Sequence, residues 1–326
     1  MNINEAIVAT AKKQKECRLA FAKYLFLGIL FIIVLPVGGG FAVGHLFENR
    51  LAPLFFIIIY IPFFQAALMA NASRVTSELG DYKAFYKDVF VRAAIRGVDP
   101  NFNYDPFAGI SRKEFRKIGI YSPDEFRAED QIGGIYNGVK FNLSEAIDIP
   151  NGATLEIGDS AALNLLSAII FAWEAMKDMQ AFSGSVLVCE FYKKFSGQTI
   201  VASRTLNTRF LGEKEQMDDV FFSKEFRVFA DDKVEARYLL TPAFMQRLRE
   251  LKEKFAGKMG LSAAFMDDKL YLFLNGAKNK FETTLFSPPP SLKDAAGIKK
   301  EISELLSIID ELNLNPDLSG AAILAD

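Results

Sequence analysis

From Tyr24 to Phe47 the chain has 24 residues without an Asp, Glu, Lys or Arg, and from Leu51 to Ala70 it has another 20. A helix rising ~1.5 Å per residue crosses a hydrocarbon core of ~30 Å with about 20 residues, so either run suffices. Lipid offers backbone amides no water, and each run is therefore expected to be helical. Only His45-Leu46-Phe47-Glu48-Asn49-Arg50-Leu51 is available for the turn, which implies a tight antiparallel hairpin. Residues 1–23 carry Lys12, Lys13, Lys15, Arg18 and Lys23 against Glu5 and Glu16. Arg74, Lys83, Lys87, Arg92 and Arg96 follow the second run, whereas Arg50 is the turn's only Lys or Arg. Positive charge resists translocation, which predicts both ends in the cytoplasm and the turn outside.

Two other readings of this segment are weaker. Ala70-Asn71-Ala72 could mimic a signal-peptide cleavage site, but it follows a second long run rather than one short apolar region. A hairpin buried in a soluble core would not need basic residues at both outer ends. Gly40 and Gly44 let helix backbones approach closely, in the hairpin or in a dimer, although glycine is also simply common in membrane helices. Neither run has an ionisable residue in its middle, and Gln65 is the only amide, which argues against a transporter or channel.

The remainder reads as a mixed-charge globular chain. The whole sequence has 38 basic and 40 acidic residues, for a net charge of −2, and shows no basic stripe for nucleic acid. Residues 3–21 place Ile3, Ile7, Ala11, Cys17 and Phe21 on one helical face that Gln14 interrupts. Beyond the second run, Val75, Leu79, Tyr82, Tyr86, Val89 and Ala93 form an apolar seam, predicting a juxtamembrane helix over 71–98. From residue 127 the period becomes that of strands. Gln131–Tyr136 and Val139–Leu143 flank Asn137-Gly138, a two-residue hairpin signal. Ser185–Phe191, Thr199–Ser203, Phe221–Ala230, Leu261–Met266 and Leu270–Leu274 also read as strands, the first two around a turn at Ser196-Gly197. Thr241 is a natural N-cap and Pro242 a natural first residue for a helix with Met245, Leu248, Leu251 and Phe255 on one face.

An apolar stretch, 158–180, has Leu163, Leu166, Ile170 and Trp173 on one face and suits a buried or interface-lying helix. After Pro288-Pro289-Pro290, residues 296–312 place Ile302, Leu305, Ile309 and Leu312 at helical spacing. The expected fold class is α+β: a transmembrane hairpin, then a soluble domain with a mainly antiparallel sheet and packed helices. The expected divisions are 1–23, 24–70, 71–98, a domain over 99–290, and a C-terminal helix and tail over 291–326. Helices 71–98 and 296–312 are the candidate surfaces for a protein partner or a second copy.

The chemistry is bounded mainly by missing residues. His45 is the only histidine, so the cytoplasmic part has no Ser-His or Cys-His pair, and no phosphate loop occurs. Cys17 and Cys189 lie far apart, and Cys189 sits in an apolar strand as an inert core thiol would. No cofactor is expected. Carboxylates remain: Asp218-Asp219 and Asp231-Asp232, with Glu235 nearby, would suit Mg²⁺ or Ca²⁺ if the fold gathered them. The plainer reading gives these acids to turns and caps, with Arg237 pairing one of them to fix a strand-to-helix corner.

That corner, D-D-K-V-E-A-R-Y-L-L-T-P-A-F-M-Q-R-L over 231–248, resembles the signature of a bacterial family catalogued as domain of unknown function 3137. F-S-G-S-V-L at 182–187, K-F-S-G-Q-T at 194–199, F-R-V-F-A at 226–230, L-S-A-A-F-M-D-D-K-L-Y at 261–271 and Y-S-P-D-E-F-R-A-E-D-Q-I at 121–132 are similar in type and order. The resemblance spans roughly 110–275 and implies N-terminal transmembrane helices but no established activity. It carries no catalytic residues over. Asp232, Glu235, Arg237, Thr241 and Pro242 are thus expected to be structural. The expectation is a multi-pass protein of the bacterial inner membrane, with both termini cytoplasmic and a binding or scaffold module as its soluble part. The alternative is an enzyme, such as a hydrolase, that uses carboxylates and a divalent metal.

Overall fold

The computed structural model describes residues 1–30, 38–39, 45, 52–121, 125–149, 182–191, 194–206, 211, 214–256, 260–276, 281–312 and 314. The chain divides into two compact units, Met1–Gly97 with Phe281–Ile298, and Val98–Lys280 with Lys299–Asp326. The division departs from the sequence expectation at residues 281–290, which belong with the N-terminal helices rather than with the sheet.

The first unit is built on two long helices. α1 (Ile3–Ile29) opens with a capping box, in which Asn2 accepts from the Glu5 amide and Glu5 returns the bond to the Asn2 amide. α2 (Ala52–Phe85) carries the second charge-free run from Ala52 onward within one continuous helix. The two helices pack antiparallel: the Arg74 guanidinium lies 5.7 Å from the Tyr24 ring centre, and Gly28 abuts Asn71. Among the described residues, no helix is long and apolar enough to cross a membrane. The first charge-free run falls largely outside those residues, as do most side chains of the second.

The buried face of α1 is Ala6, Thr10, Gln14 and Cys17, not one interrupted by Gln14. Gln14 is tolerated there because its amide donates to the carbonyls of Leu285 (3.1 Å) and Ser287 (2.8 Å). Arg18 donates to the same two carbonyls, at 2.7 Å each. Lys83 of α2 and Lys87 just beyond its end reach Glu282 at 3.1 and 2.8 Å. Burial opposes ionisation of Glu282, but the two ammonium groups outweigh it and hold the carboxyl below its usual range. Residues 281–287 are thereby fastened to both helices, with Leu285 packed between Cys17 and Tyr82.

After Phe85 comes a π-helical turn, Tyr86–Val91, and then a short helix, α3 (Arg92–Arg96). The wider turn rotates the helical face beyond it. The seam expected at Val89 and Ala93 therefore passes to Phe90, Val91, Ala94 and Ile95, all buried.

The second unit holds a nine-stranded sheet with antiparallel neighbours throughout. Its strands are β1 (Asn103–Asp105), β2 (Glu125–Tyr136), β3 (Val139–Ile149), β4 (Ser183–Glu190), β5 (Thr199–Ser203), β6 (Lys214–Glu215), β7 (Phe226–Ala230), β8 (Leu261–Met266) and β9 (Lys269–Asn275). They lie in the order β1-β2-β3-β4-β9-β8-β5-β7-β6. The fold is α+β with a large antiparallel sheet, as expected. Asn137 and Gly138 both take positive φ, 46° and 81°, and close the β2–β3 hairpin. The chain bends at Ser196-Gly197 as expected, but β4 and β5 on either side of that bend are not neighbours in the sheet. The β8–β9 pair lies between them. Gly184 on β4 permits this, since a β-carbon there would stand 2.0 Å from the Leu274 carbonyl oxygen of β9.

Successive residues of a strand point to opposite faces. Nearly every residue of β5, β8 and β9 is buried, so the centre of the sheet is covered on both sides. One face packs Phe273, Tyr271, Ala264 and Val186 with Phe115 of α4 (Arg112–Ile118), Tyr121 and Phe182. The Phe273 ring lies 5.5–5.7 Å from those of Tyr121, Phe115 and Phe182. On the other face Phe265 meets Phe244 at 5.7 Å. Burial pushes the Cys189 thiol up to about 12, which favours its protonated form.

The last helix, α8 (Leu292–Glu311), buries Ile302, Leu305 and Ile309, and Leu312 just past its end is buried too, the face read from the sequence. Within the second unit its end is tied down by Tyr136 and Asn137 to Asp310 (3.0 and 2.7 Å) and by Lys254 to Glu311 (2.5 Å). The helix expected over 158–180 and the tail 313–326 lie outside the described residues, apart from Leu314. Phe273→Ala should remove the centre of the aromatic core and destabilise the sheet unit by about 3–5 kcal/mol in a denaturant titration.

Candidate functional site

The carboxylates singled out from sequence sit on the elements around β7. The stretch Phe221–Ala230, expected as one strand, is instead a helix followed by a strand: α5 (Val220–Glu225) leads directly into β7. Asp219 causes the difference. Its side chain accepts from the amides of Phe221 (2.8 Å) and Phe222 (2.9 Å), which starts a helix where the apolar run alone suggests a strand. Phe222 is then buried, and its ring stacks on Phe226 at 4.9 Å.

A second capped turn follows β7. Asp232 accepts from the amides of Val234 (2.8 Å) and Glu235 (3.1 Å) and opens α6 (Lys233–Leu239). Thr241 accepts from the Phe244 amide at 3.2 Å and opens α7 (Pro242–Leu251), with Pro242 at its start. The corner is therefore helix-capped rather than ion-paired to its own acids. Arg237 does not meet Asp232 or Glu235. It bonds Glu215 of β6 at 3.0 Å, and Lys233 reaches the other oxygen of Glu215 at 3.3 Å. Arg237 first, and Lys233 after it, hold that carboxyl below its usual range.

Glu235 is buried and turns inward. Its carboxylate accepts from the amide of Ser196 (3.1 Å to each oxygen) and that of Gly197 (3.3 Å). Asp231 accepts from the Gln198 amide at 2.9 Å, while its own amide donates to the Gln198 carbonyl. Gly197 is required by this approach, since a β-carbon there would stand 2.9 Å from that of Asp231. The K-F-S-G-Q-T and D-D-K-V-E-A-R segments are thus bonded to each other.

The five candidate acids do not converge on one point as metal ligands. Asp219 and Asp232 cap helices, Asp231 and Glu235 bind the 196–198 turn, and Asp218 is exposed. What the fold does bring together is Asp219 and Pro242. They share a groove of about 560 Å³ with Ala243, Gln246, Arg249, Glu250 and Glu253, between the start of α5 and one face of α7. The Phe221 ring stands beside it, 63% exposed, with the Arg249 guanidinium and the Lys224 ammonium each 5.5 Å from its centre. Glu225 clamps this wall by bonding Arg249 at 2.9 Å and Lys252 at 3.0 Å. Burial works against ionisation of Glu225, but these two cations prevail and lower its pKa.

Sequence reasoning missed Phe221, Glu225, Arg249 and the Gln246–Glu250 wall. The available signal was Asp219 followed by an apolar run without strict alternation, which also fits a capped helix. The groove supplies hydrogen-bonding and charged groups beside an exposed ring. Among the described residues its lining has no histidine or cysteine; the polar groups it presents are those of Asp219, Gln246, Arg249, Glu250 and Glu253.

The family model described as "Protein of unknown function (DUF3137)" matches residues 180–314. The resemblance noted in the sequence is therefore shown over that stretch, which contains both bonded segments and the groove. The similar residues at 121–132 lie outside it. No curated protein and no solved structure matches the chain.

Glu235→Ala should strand the Ser196 and Gly197 amides and destabilise the fold by about 1–3 kcal/mol. Glu250→Ala, on the open side of α7, should change thermal stability by less than about 0.5 kcal/mol.

Proposed function

We propose that this chain is a membrane-tethered module of the bacterial inner membrane. In this reading α1 and α2 enter the bilayer as a helical hairpin, and the α+β unit works on the cytoplasmic side as a binding or scaffold platform. The observation that carries the reading is the register of α1 against α2. Tyr24 faces Arg74 and Gly28 abuts Asn71, and the midpoint of both pairs falls at about residue 49. That is where the turn of a hairpin made from the two charge-free runs belongs.

The surface just before the described part of α1 ends supports the same reading. Leu25, Phe26 and Ile29 on α1 and Met69 on α2 are 51, 66, 48 and 74% exposed. Each exposed apolar group in water forgoes ~25 cal/mol per Å² of burial, so a collar of them at one level calls for an apolar medium.

A binding role for the α+β unit is supported by the groove with Phe221 at its edge, a surface that the packing leaves open. The seams of 82–95 and 302–312, by contrast, are buried within the chain and unavailable to a partner as it stands. The enzyme reading gains nothing from the geometry, since four of its five carboxylates already accept backbone amides. Reporter fusions at Asn49 and at the C-terminus should report opposite sides of the membrane. The same side for both would refute the hairpin.

A further inference from the structure

We propose that Lys23 and Arg74, beside Tyr24, form a binding site for the phosphate of an anionic phospholipid in the cytoplasmic leaflet. The proposal rests on the hairpin reading above and names a partner for its base. The helix register sets both cations at one level: Arg74 lies against Tyr24, the residue next to Lys23. Immediately beyond that level come Leu25, Phe26 and Ile29 on α1, all exposed, and on α2 the exposed Met69. The boundary between basic and apolar surface thus falls at the same height on both helices. This is the height at which lipid phosphates meet the hydrocarbon.

The two cations are also available. Lys23 is exposed, and among the described residues neither it nor Arg74 makes an ion pair. Several other basic groups of the stem differ. Arg18 is committed to the carbonyls of Leu285 and Ser287, and Lys83 and Lys87 to Glu282. Lys12 and Lys15 are exposed, but two to three helical turns before Lys23, on the side away from the apolar collar. Tyr24 completes the site, because an aromatic ring at the interface keeps its body in the apolar layer and its hydroxyl at headgroup level. By bracing the guanidinium, the ring holds Arg74 where a phosphate can accept from it. The chemistry recognised is a singly charged phosphodiester with no compensating ammonium, as in phosphatidylglycerol. In phosphatidylcholine the quaternary ammonium opposes the same contact.

The full-length protein in detergent micelles, titrated with phosphatidylglycerol or phosphatidylcholine of identical chains, tests this by native mass spectrometry. Wild type should retain phosphatidylglycerol at least about tenfold more strongly, since each cation near an anionic surface contributes roughly a fivefold preference. Lys23→Gln with Arg74→Gln should abolish the preference, whereas Lys12→Gln with Lys15→Gln should leave it intact. Carbonate extraction of membranes separates the two ideas. A wild-type chain that resists extraction but shows no headgroup preference would overturn this proposal alone, as would a preference that survives in the Lys23/Arg74 variant. A wild-type chain that is extracted would overturn the hairpin and this site together.

Discussion

The close antiparallel approach of α1 and α2 is the contact from which the first unit is built. Gly28 lets Asn71 sit against the α1 backbone, Arg74 covers Tyr24, and farther down Cys17 and Tyr82 share a core with Leu285. Two long helices meeting mainly through small and aromatic residues would leave polar atoms stranded in the seam. Residues 281–287 supply partners for several of them, presenting two backbone carbonyls to Gln14 and Arg18 and a carboxylate to Lys83 and Lys87. A buried amide and buried charge are stable there only because each is matched. The first unit is therefore made from two distant parts of the chain, and neither part would satisfy its own polar groups.

The sheet unit obeys a different constraint. Its central strands are buried on both faces, so their register is set by packing rather than by one amphipathic pattern. The β8–β9 hairpin enters between β4 and β5, and at Gly184 a side chain would collide with β9. This explains what the sequence disclosed and what it did not. Asn137-Gly138 and the steps of 302–312 are local signals, and both were legible. The separation of β4 from β5 is a non-local choice, and no local pattern carries it. The π-helical turn at Tyr86–Val91 likewise leaves no mark in a seam read at strict helical spacing, so the buried set shifts by one residue.

At the candidate site the residue types were legible and their partners were not. Asp232, Thr241 and Pro242 were expected to shape a corner, and they do start α6 and α7. Arg237 was expected to hold a neighbouring acid, yet it crosses to Glu215 on an edge strand twenty-two residues away. Asp219 was grouped with a metal-ligand set but starts a helix. Four of the five candidate acids accept from backbone amides, and for Asp219 and Asp232 the bond is local and competes effectively with any distant ligand geometry. The bonding of Glu235 and Asp231 to the 196–198 turn gives a physical reason for the K-F-S-G-Q-T and D-D-K-V-E-A-R segments to occur together in one chain.

Whether the collar above Lys23 meets lipid is the point on which the tethered-module account turns. Both native cysteines are buried, so a cysteine introduced at the surface can be spin-labelled selectively. Labels at Phe26 and Met69 of the protein in vesicles should collide with dissolved oxygen far more than with a water-soluble nickel chelate. A label at Leu19, also exposed but about two turns nearer the N-terminus, should show the reverse. Equal access of the chelate to all three positions would place the collar in water and contradict the account.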